Sequence, residues 1–242
     1  MRLDVYLTEK GFVQSRTEAK NFIIGGAVCY NGKMITKPSY DIADDAEGVA
    51  VDKSVKKYVS RGGYKLEGAL REFCISVDGR LALDVGASSG GFTDCLLQNG
   101  AKHVISVDSG SNQIADSLRA DGRVTVIENY NARYMKSEDF TYEPNLAVMD
   151  VSFISATYIM PALYSVLAEG ADFVCLIKPQ FEVGRALLGK GGIVKEEKAR
   201  IAAVNKVADF GKNLGFKLVA VINSPIQGGD GNIEYLAHFR KE

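Results

Sequence analysis

Between Leu81 and Asp108 the chain runs through an apolar stretch (Leu81 to Val85), a glycine-rich turn (Gly86, Gly90, Gly91), a helical run, and a second apolar stretch (His103 to Val107) ending on Asp108. Strand, tight loop, helix, strand and acid in that order constrain the chain to a nucleotide-type α/β fold. Glycines let the backbone approach a ligand closely, and an acid ending the second strand is placed to accept hydrogen bonds from ribose hydroxyls. A dinucleotide loop wants G-x-G-x-x-G, and here the middle glycine is replaced by Ser88. Asp84, two residues before Gly86, would repel a diphosphate and suit an ammonium or sulfonium group. Together these residues favour S-adenosylmethionine over NAD, against the plainer reading of a strand-to-helix turn with no ligand.

The rest of the chain supports that frame. From Leu66 onward, strands are expected at 81–85, 103–107, 123–127, 145–149, 171–177, 216–222 and 233–239. Helices are expected at 92–99, 112–120, 155–168 and 195–214. Such alternation implies a doubly wound, mostly parallel sheet with helices on both faces, whose ligands sit at the C-terminal strand ends. Asp84, Asp108, Asp150 and Lys178 all fall at or just past a strand end. Asp150 follows the apolar run Leu146 to Met149, and Lys178 follows Phe173 to Ile177. Glu234 follows a glycine-rich turn, Gly228 to Gly231, and Lys65 follows Gly62-Gly63. A Lys-Asp-Lys-Glu set near a methyl donor suits attack by a ribose hydroxyl, a poor nucleophile that needs a base or a cation stabilising the alkoxide. Taken singly, Lys65 and Glu234 read as surface residues and Asp150 as a helix cap; Lys178 is the hardest to read as incidental.

The first fifty residues differ. Leu3 to Thr8 read as a short helix. Ser15-Arg16-Thr17-Glu18 forms a capping box that starts a second helix ending before Gly25-Gly26. Asn31-Gly32 between Ala27–Tyr30 and Lys33–Thr36 is a hairpin signal. A small module is expected over 1–59 and a larger domain over 60–242, joined by a basic stretch containing Lys53, Lys56, Lys57 and Arg61. The net charge of -1 carries no nucleic-acid signal, so any RNA surface must come from local clustering. The four cysteines lack C-x-x-C spacing and read as buried, reduced thiols; with two distant histidines, no metal site is expected. No apolar run approaches a membrane span and no signal-peptide core is visible, so a cytoplasmic protein is expected.

Several ordered motifs are specific enough to name a family. The stretches R-L-D-V-Y-L, S-R-T-E-A-K and G-A-V-C-Y-N-G resemble an S4 RNA-binding domain. V-S-R-G-G-Y-K-L, L-D-V-G-A-S-S-G-G-F-T-D, M-D-V-S-F-I-S, L-I-K-P-Q-F-E and S-P-I-Q-G-G-D-G-N-I-E-Y-L resemble, in order, the motifs of an FtsJ-like methyltransferase. Over nearly its whole length the chain resembles the TlyA, or hemolysin A-like, group. The resemblance implies a class I methyltransferase fold with a seven-stranded sheet behind a small α+β S4 domain. It implies 2'-O-methylation of cytidine in ribosomal RNA, with S-adenosylmethionine as donor. It places the reactive tetrad on Lys65, Asp150, Lys178 and Glu234. Lys178 would activate the hydroxyl, Asp150 and Glu234 tune it, and Lys65 align the substrate. The cofactor would be lined by Asp84, Gly86, Ser88, Gly90, Asp108 and Asn131, with Arg133 nearby. RNA contacts are implied at Arg2, Arg16, Lys20 and Arg61. The short ends favour a large-subunit (50S) substrate over both subunits, and a monomer is expected. The competing expectations are an RNA-binding protein that lost the reaction, and a pore-forming hemolysin.

Overall fold

The computed structural model describes residues 1–52, 57–228 and 231–242, and at Thr17 the backbone alone. Lys53 and Lys56 of the basic stretch, and Gly229 and Asp230 of the late turn, lie outside the described residues. The chain divides into two compact units, Met1–Arg61 and Gly62–Glu242.

The first unit contains α1 (Leu3–Glu9), α2 (Arg16–Ile24), β1 (Val28–Tyr30), β2 (Lys33–Met34) and β3 (Val49–Val51). The strands form an antiparallel sheet in the order β2-β1-β3. Asn31 and Gly32 take φ of 49° and 75°, the positive pair a two-residue hairpin turn needs. At the start of α2, Ser15 accepts from the Glu18 amide as expected, but the Glu18 carboxylate returns to the Gln14 amide, one residue short of the full box. Leu3, Leu7, Phe22, Ile23 and Val28 fill a small core of their own. The third strand was not expected, because V-A-V is too short to carry a periodic signal.

The second unit comprises α3 (Gly62–Glu72), β4 (Leu81–Val85), α4 (Gly91–Gln98), β5 (His103–Val107), α5 (Asp116–Arg119), β6 (Val124–Ile127), β7 (Leu146–Met149), α6 (Met160–Val166), β8 (Asp172–Ile177), α7 (Pro179–Glu182), α8 (Glu197–Leu214), β9 (Phe216–Asn223) and β10 (Tyr235–Lys241). Its seven-stranded sheet has the order β6-β5-β4-β7-β8-β10-β9. The pairs among β4, β5, β6, β7 and β8 are parallel, and β10 runs antiparallel to both neighbours. The chain winds from β4 toward β5 in one direction and β7 in the other, so a crevice opens where the order reverses, beyond the strand tips. The strands that flank it, β4, β7 and β8, are almost wholly buried, as a sheet covered on both faces requires. Phe173, Phe216 and Phe239 pack together with centroids 5.5 to 5.8 Å apart, Phe173 and Phe239 stacked and Phe216 tilted against both.

Three local expectations are corrected. The helix expected at 112–120 shrinks to α5, because Asn112 takes φ of 52° and the Gln113 amide turns to Glu128. The helix expected at 155–168 is split. Its first part is the 3-10 turn Ala156–Tyr158, and α6 starts afresh with Pro161 in its first turn, where a missing N–H costs nothing. The expectation that all four thiols are buried holds for Cys95 and Cys175, whereas Cys29 is half-buried and Cys74 exposed. Cys74 sits just past α3 with φ of 54°, where the chain turns away from the core. All four are free thiols.

Candidate active site

Two groups of side chains meet at the C-terminal tips of the parallel strands. The first surrounds a cavity of about 460 Å³ whose walls include Val85, Gly86, Ser88, Asp108, Gly110, Gln113, Asn131, Asp150 and Phe153, a volume suited to a nucleoside-sized ligand. Gly86 has φ of 83°, and a Cβ there would stand 2.4 Å from the Asp150 carbonyl oxygen. Only glycine lets β4 turn this close to β7. Gly86→Ala is therefore expected to cost about 1–3 kcal/mol from backbone strain alone and to displace Asp150. Denaturant melts check the first effect; an unchanged midpoint would contradict it.

Asp108 shapes the opposite wall. Its Oδ2 accepts from the Ser88 amide at 2.8 Å and its Oδ1 from the Gly110 amide at 2.7 Å. Those bonds hold Ser88 at φ of 47° and leave lone pairs for hydroxyls entering the cavity. The Asn131 side chain accepts from the Arg133 amide at 3.1 Å and starts a 3-10 turn at the rim. Arg133 lies outside the wall, with its guanidinium 5.8 and 5.2 Å from the rings of exposed Tyr134 and Tyr158.

Of the six residues expected around a cofactor, Gly86, Ser88, Asp108 and Asn131 line the cavity. Asp84 and Gly90 are not part of the wall. Gly90 is the N-cap of α4, in the left-handed region, with no room for a Cβ beside Leu118. Asp84 is fully buried; one oxygen accepts from Thr93 Oγ1 at 2.7 Å, and Oδ1 has no hydrogen-bond partner among the described residues. Burial pushes its carboxyl up to about 7, the Thr93 bond opposes this, and repulsion from Asp150 and Asp108 adds to it. The folded value lies above the unfolded one, so ionising Asp84 works against the fold. Its cost is absent below about pH 4 and grows as pH rises through 7, to roughly 4 kcal/mol at most. The thermal midpoint of Asp84→Asn relative to the parent is expected to improve steadily over that interval. Parallel pH profiles would contradict this.

The second group carries the reactive side chains. Lys178 Nζ lies 2.5 Å from Asp150 Oδ1, an ion pair not aligned as a hydrogen bond, and donates to Ser152 Oγ at 2.8 Å. Lys65 Nζ, from the first turn of α3, donates to Glu234 Oε2 at 2.6 Å. The register explains the convergence. Tyr235 pairs with Ile177 and Met149 with Cys175, so Glu234, Lys178 and Asp150 leave the ends of three adjacent strands. Gln180 Nε2 reaches Glu234 Oε1 at 3.4 Å, linking the two pairs through the segment that carries Lys178. The structure thus places the four tetrad residues as two ion pairs at the tips of neighbouring strands, Lys178 with Asp150 and Lys65 with Glu234. Ser152, Gln180 and Phe153 were not singled out there, although all three stand inside the quoted motifs. Phe153 is 92% exposed at the cavity mouth, with φ of 64° and its ring 5.2 Å from Phe181.

In the first unit, Arg2 and Arg16 converge on the fully buried Asp4. Arg2 donates at 2.9 and 3.2 Å and Arg16 at 3.2 Å. Burial alone would raise the Asp4 carboxyl, but hydrogen bonds from the two guanidiniums outweigh it and hold the group low. Both arginines are about half exposed and keep N–H groups for a further anion. Lys20 and Arg61 are partly buried.

Comparison with known proteins finds two family models along the chain. The FtsJ-like methyltransferase family matches residues 58–241, and the S4 domain matches residues 1–47. Hemolysin A of Brachyspira hyodysenteriae is 46% identical, covering 99% of each chain. The 16S/23S rRNA (cytidine-2'-O)-methyltransferase TlyA of Mycobacterium tuberculosis is 42% identical, covering 100% of this chain and 90% of the relative. The 23S rRNA (cytidine-2'-O)-methyltransferase TlyA of Campylobacter jejuni is 32% identical over the whole of both. A solved Streptococcus thermophilus structure with a provisional hemolysin label superposes with a TM-score of 0.76 at 45% identity, covering 100% of this chain and 88% of that one. An S-adenosylmethionine dependent methyltransferase from Mesorhizobium loti shares the fold at 15% identity and a TM-score of 0.55, covering 73% of this chain and 98% of that one. Among the described residues no helix is long and apolar enough to cross a membrane.

Proposed function

This chain belongs to the FtsJ-like methyltransferase family and carries an S4 domain in its first 47 residues, and on that premise we propose that it methylates the ribose 2'-hydroxyl of a cytidine in ribosomal RNA with S-adenosylmethionine as donor. The supporting observation is the charge of the cavity. Among the described residues its charged wall residues are Asp108 and Asp150, both acidic, Asp150 being paired with Lys178 and Asp108 with backbone amides alone. An acidic wall repels phosphates and attracts a ligand that is cationic at two centres. In this reading Asp108 receives ribose hydroxyls, Gly86 and Ser88 frame the amino-acid end, and Asn131 borders the base.

When bound, S-adenosylmethionine supplies a methyl group on a sulfonium sulfur. The chain's own residues prepare the acceptor. Lys178 holds the 2'-oxygen and offsets the negative charge that grows on it as its proton leaves, which a cation in a water-poor site does well. Asp150 fixes the Lys178 ammonium, and its carboxylate takes up the departing proton. Glu234 anchors Lys65, which aligns the ribose, so that approach is in line and little barrier is spent on orientation. Phe153 offers an exposed ring on which an unstacked base can rest.

Both TlyA relatives' names include 23S rRNA, so the 50S subunit is the proposed substrate, met in the cytoplasm by a monomer. Arg2, Arg16, Lys20 and Arg61 contact its phosphates, giving a salt-dependent affinity. The test is transfer of labelled methyl to unmodified 50S subunits, 30S subunits and naked rRNA in parallel. Label on 50S supports the reading; label on 30S alone contradicts the substrate assignment, and label on none contradicts the activity.

A further inference from the structure

We propose that Glu182 is a positioning residue for methyl transfer, clamping the turn after Asp150 so that Asp150, Ser152 and Phe153 keep their register against Lys178; this rests on the methyltransferase reading above. Glu182 closes α7, one turn beyond Lys178, which is that helix's N-cap. Its side chain is 2% exposed. Oε1 accepts from the Ala156 amide at 2.7 Å, and Oε2 accepts from Ser155 Oγ at 2.5 Å and from Lys206 Nζ at 3.1 Å. Lys206, on α8, also donates to the Glu182 carbonyl at 3.0 Å.

Fixing α7 to α8 would require only the two Lys206 bonds. The other two carboxylate bonds instead reach the chain leaving the site. Segments 150–156 and 178–182 are thereby tied at two rungs, Lys178 with Asp150 and Ser152, then Glu182 with Ser155 and Ala156. Between the rungs Phe153 holds φ of 64°, a conformation uncommon for any residue but glycine, with its ring against Phe181. An exposed aromatic on such a turn stays in place only if both ends are fixed. Pairing of β7 with β8 fixes the first end, and Glu182 fixes the second. Misplacement of a reacting group by about 1 Å can cost on the order of a hundredfold in rate.

The test uses full-length Glu182→Gln and Ser155→Ala, with methyl transfer to 50S subunits and hydrogen exchange of amides 151–157 as separate readouts. Glu182→Gln is expected to lower kcat by about 10–100-fold. The RNA KM and the cofactor Kd should rise by less than kcat falls, because only the edge of the cavity formed by Asp150, Ser152 and Phe153 shifts. Exchange in the turn should quicken at least about tenfold while β8 stays protected. Ser155→Ala, which spares the buried charge pair but also uncaps the Thr157 amide, should move both readouts the same way by less, with amides 151–154 reporting the clamp, and it decides the matter if Glu182→Gln fails to fold. Parent-like kcat or parent-like exchange in the turn of the folded variants overturns the proposal. If the parent transfers no methyl group at all, the methyltransferase reading fails, while the exchange arm still decides whether the clamp exists.

Discussion

Lys178→Ala is expected to lower methyl transfer by at least about a thousandfold, on the scale seen when a unit of reactive groups loses its central member. S-adenosylmethionine affinity should remain within about threefold, because the cavity wall does not include Lys178, and RNA affinity should change little because phosphate contacts supply most of it. Stability should change little. Asp150 loses its ion pair and its Oδ1 is buried, but the residue is 22% exposed and the shortened side chain lets water reach it, so the cost stays below that of a fully buried pair. Single-turnover rates with saturating cofactor, beside binding isotherms and a melt, check all three expectations. A variant that folds, binds and still transfers at a tenth of the parent rate would remove Lys178 from the reaction.

The other lysine of the tetrad is expected to behave differently. Lys65 and Glu234 are 9% and 2% exposed, so Lys65→Met strands a carboxylate with no water to solvate it. Breaking a buried pair from one side costs about 3–5 kcal/mol, which for a domain of this size lowers the melting midpoint by roughly 10 °C. Transfer should fall together with stability. Lys65→Met combined with Glu234→Leu removes both charges, and much of the lost midpoint should return. Activity should not return, because nothing then aligns the ribose. Recovery of both would make the pair a purely structural feature; recovery of neither would mean that packing around α3, rather than charge, sets the cost.

The contrast between these ion pairs was not legible in the sequence, although their members were. Asp150 and Lys178 could be found because each ends an apolar run that can only be a buried strand. Glu234 and Lys65 follow glycine-rich turns with no comparable signal, and the ordered family motifs were needed to join them to the others. Their proximity comes from sheet order: β10 inserts antiparallel beside β8, and that pairing is set by contacts far apart in the chain. The same limit applies to Asp84. Its place near the end of β4 was readable, but whether the side chain faces the cavity or Thr93 depends on how α4 packs. Gly62-Gly63 begins α3, which was not among the expected helices, since first-turn amides need no helical partner and Gly63 is buried there. At Phe153 a positive φ on an aromatic residue contradicts local preference, as functional turns often do.

The claim that all of this serves is transfer to a ribose oxygen, and chemical identification of the product tests it most directly. Ribosomal RNA labelled by the parent protein on 50S subunits would be digested to nucleosides and separated. The account predicts label in 2'-O-methylcytidine alone. Label in a base-methylated nucleoside, with none in 2'-O-methylcytidine, would contradict it.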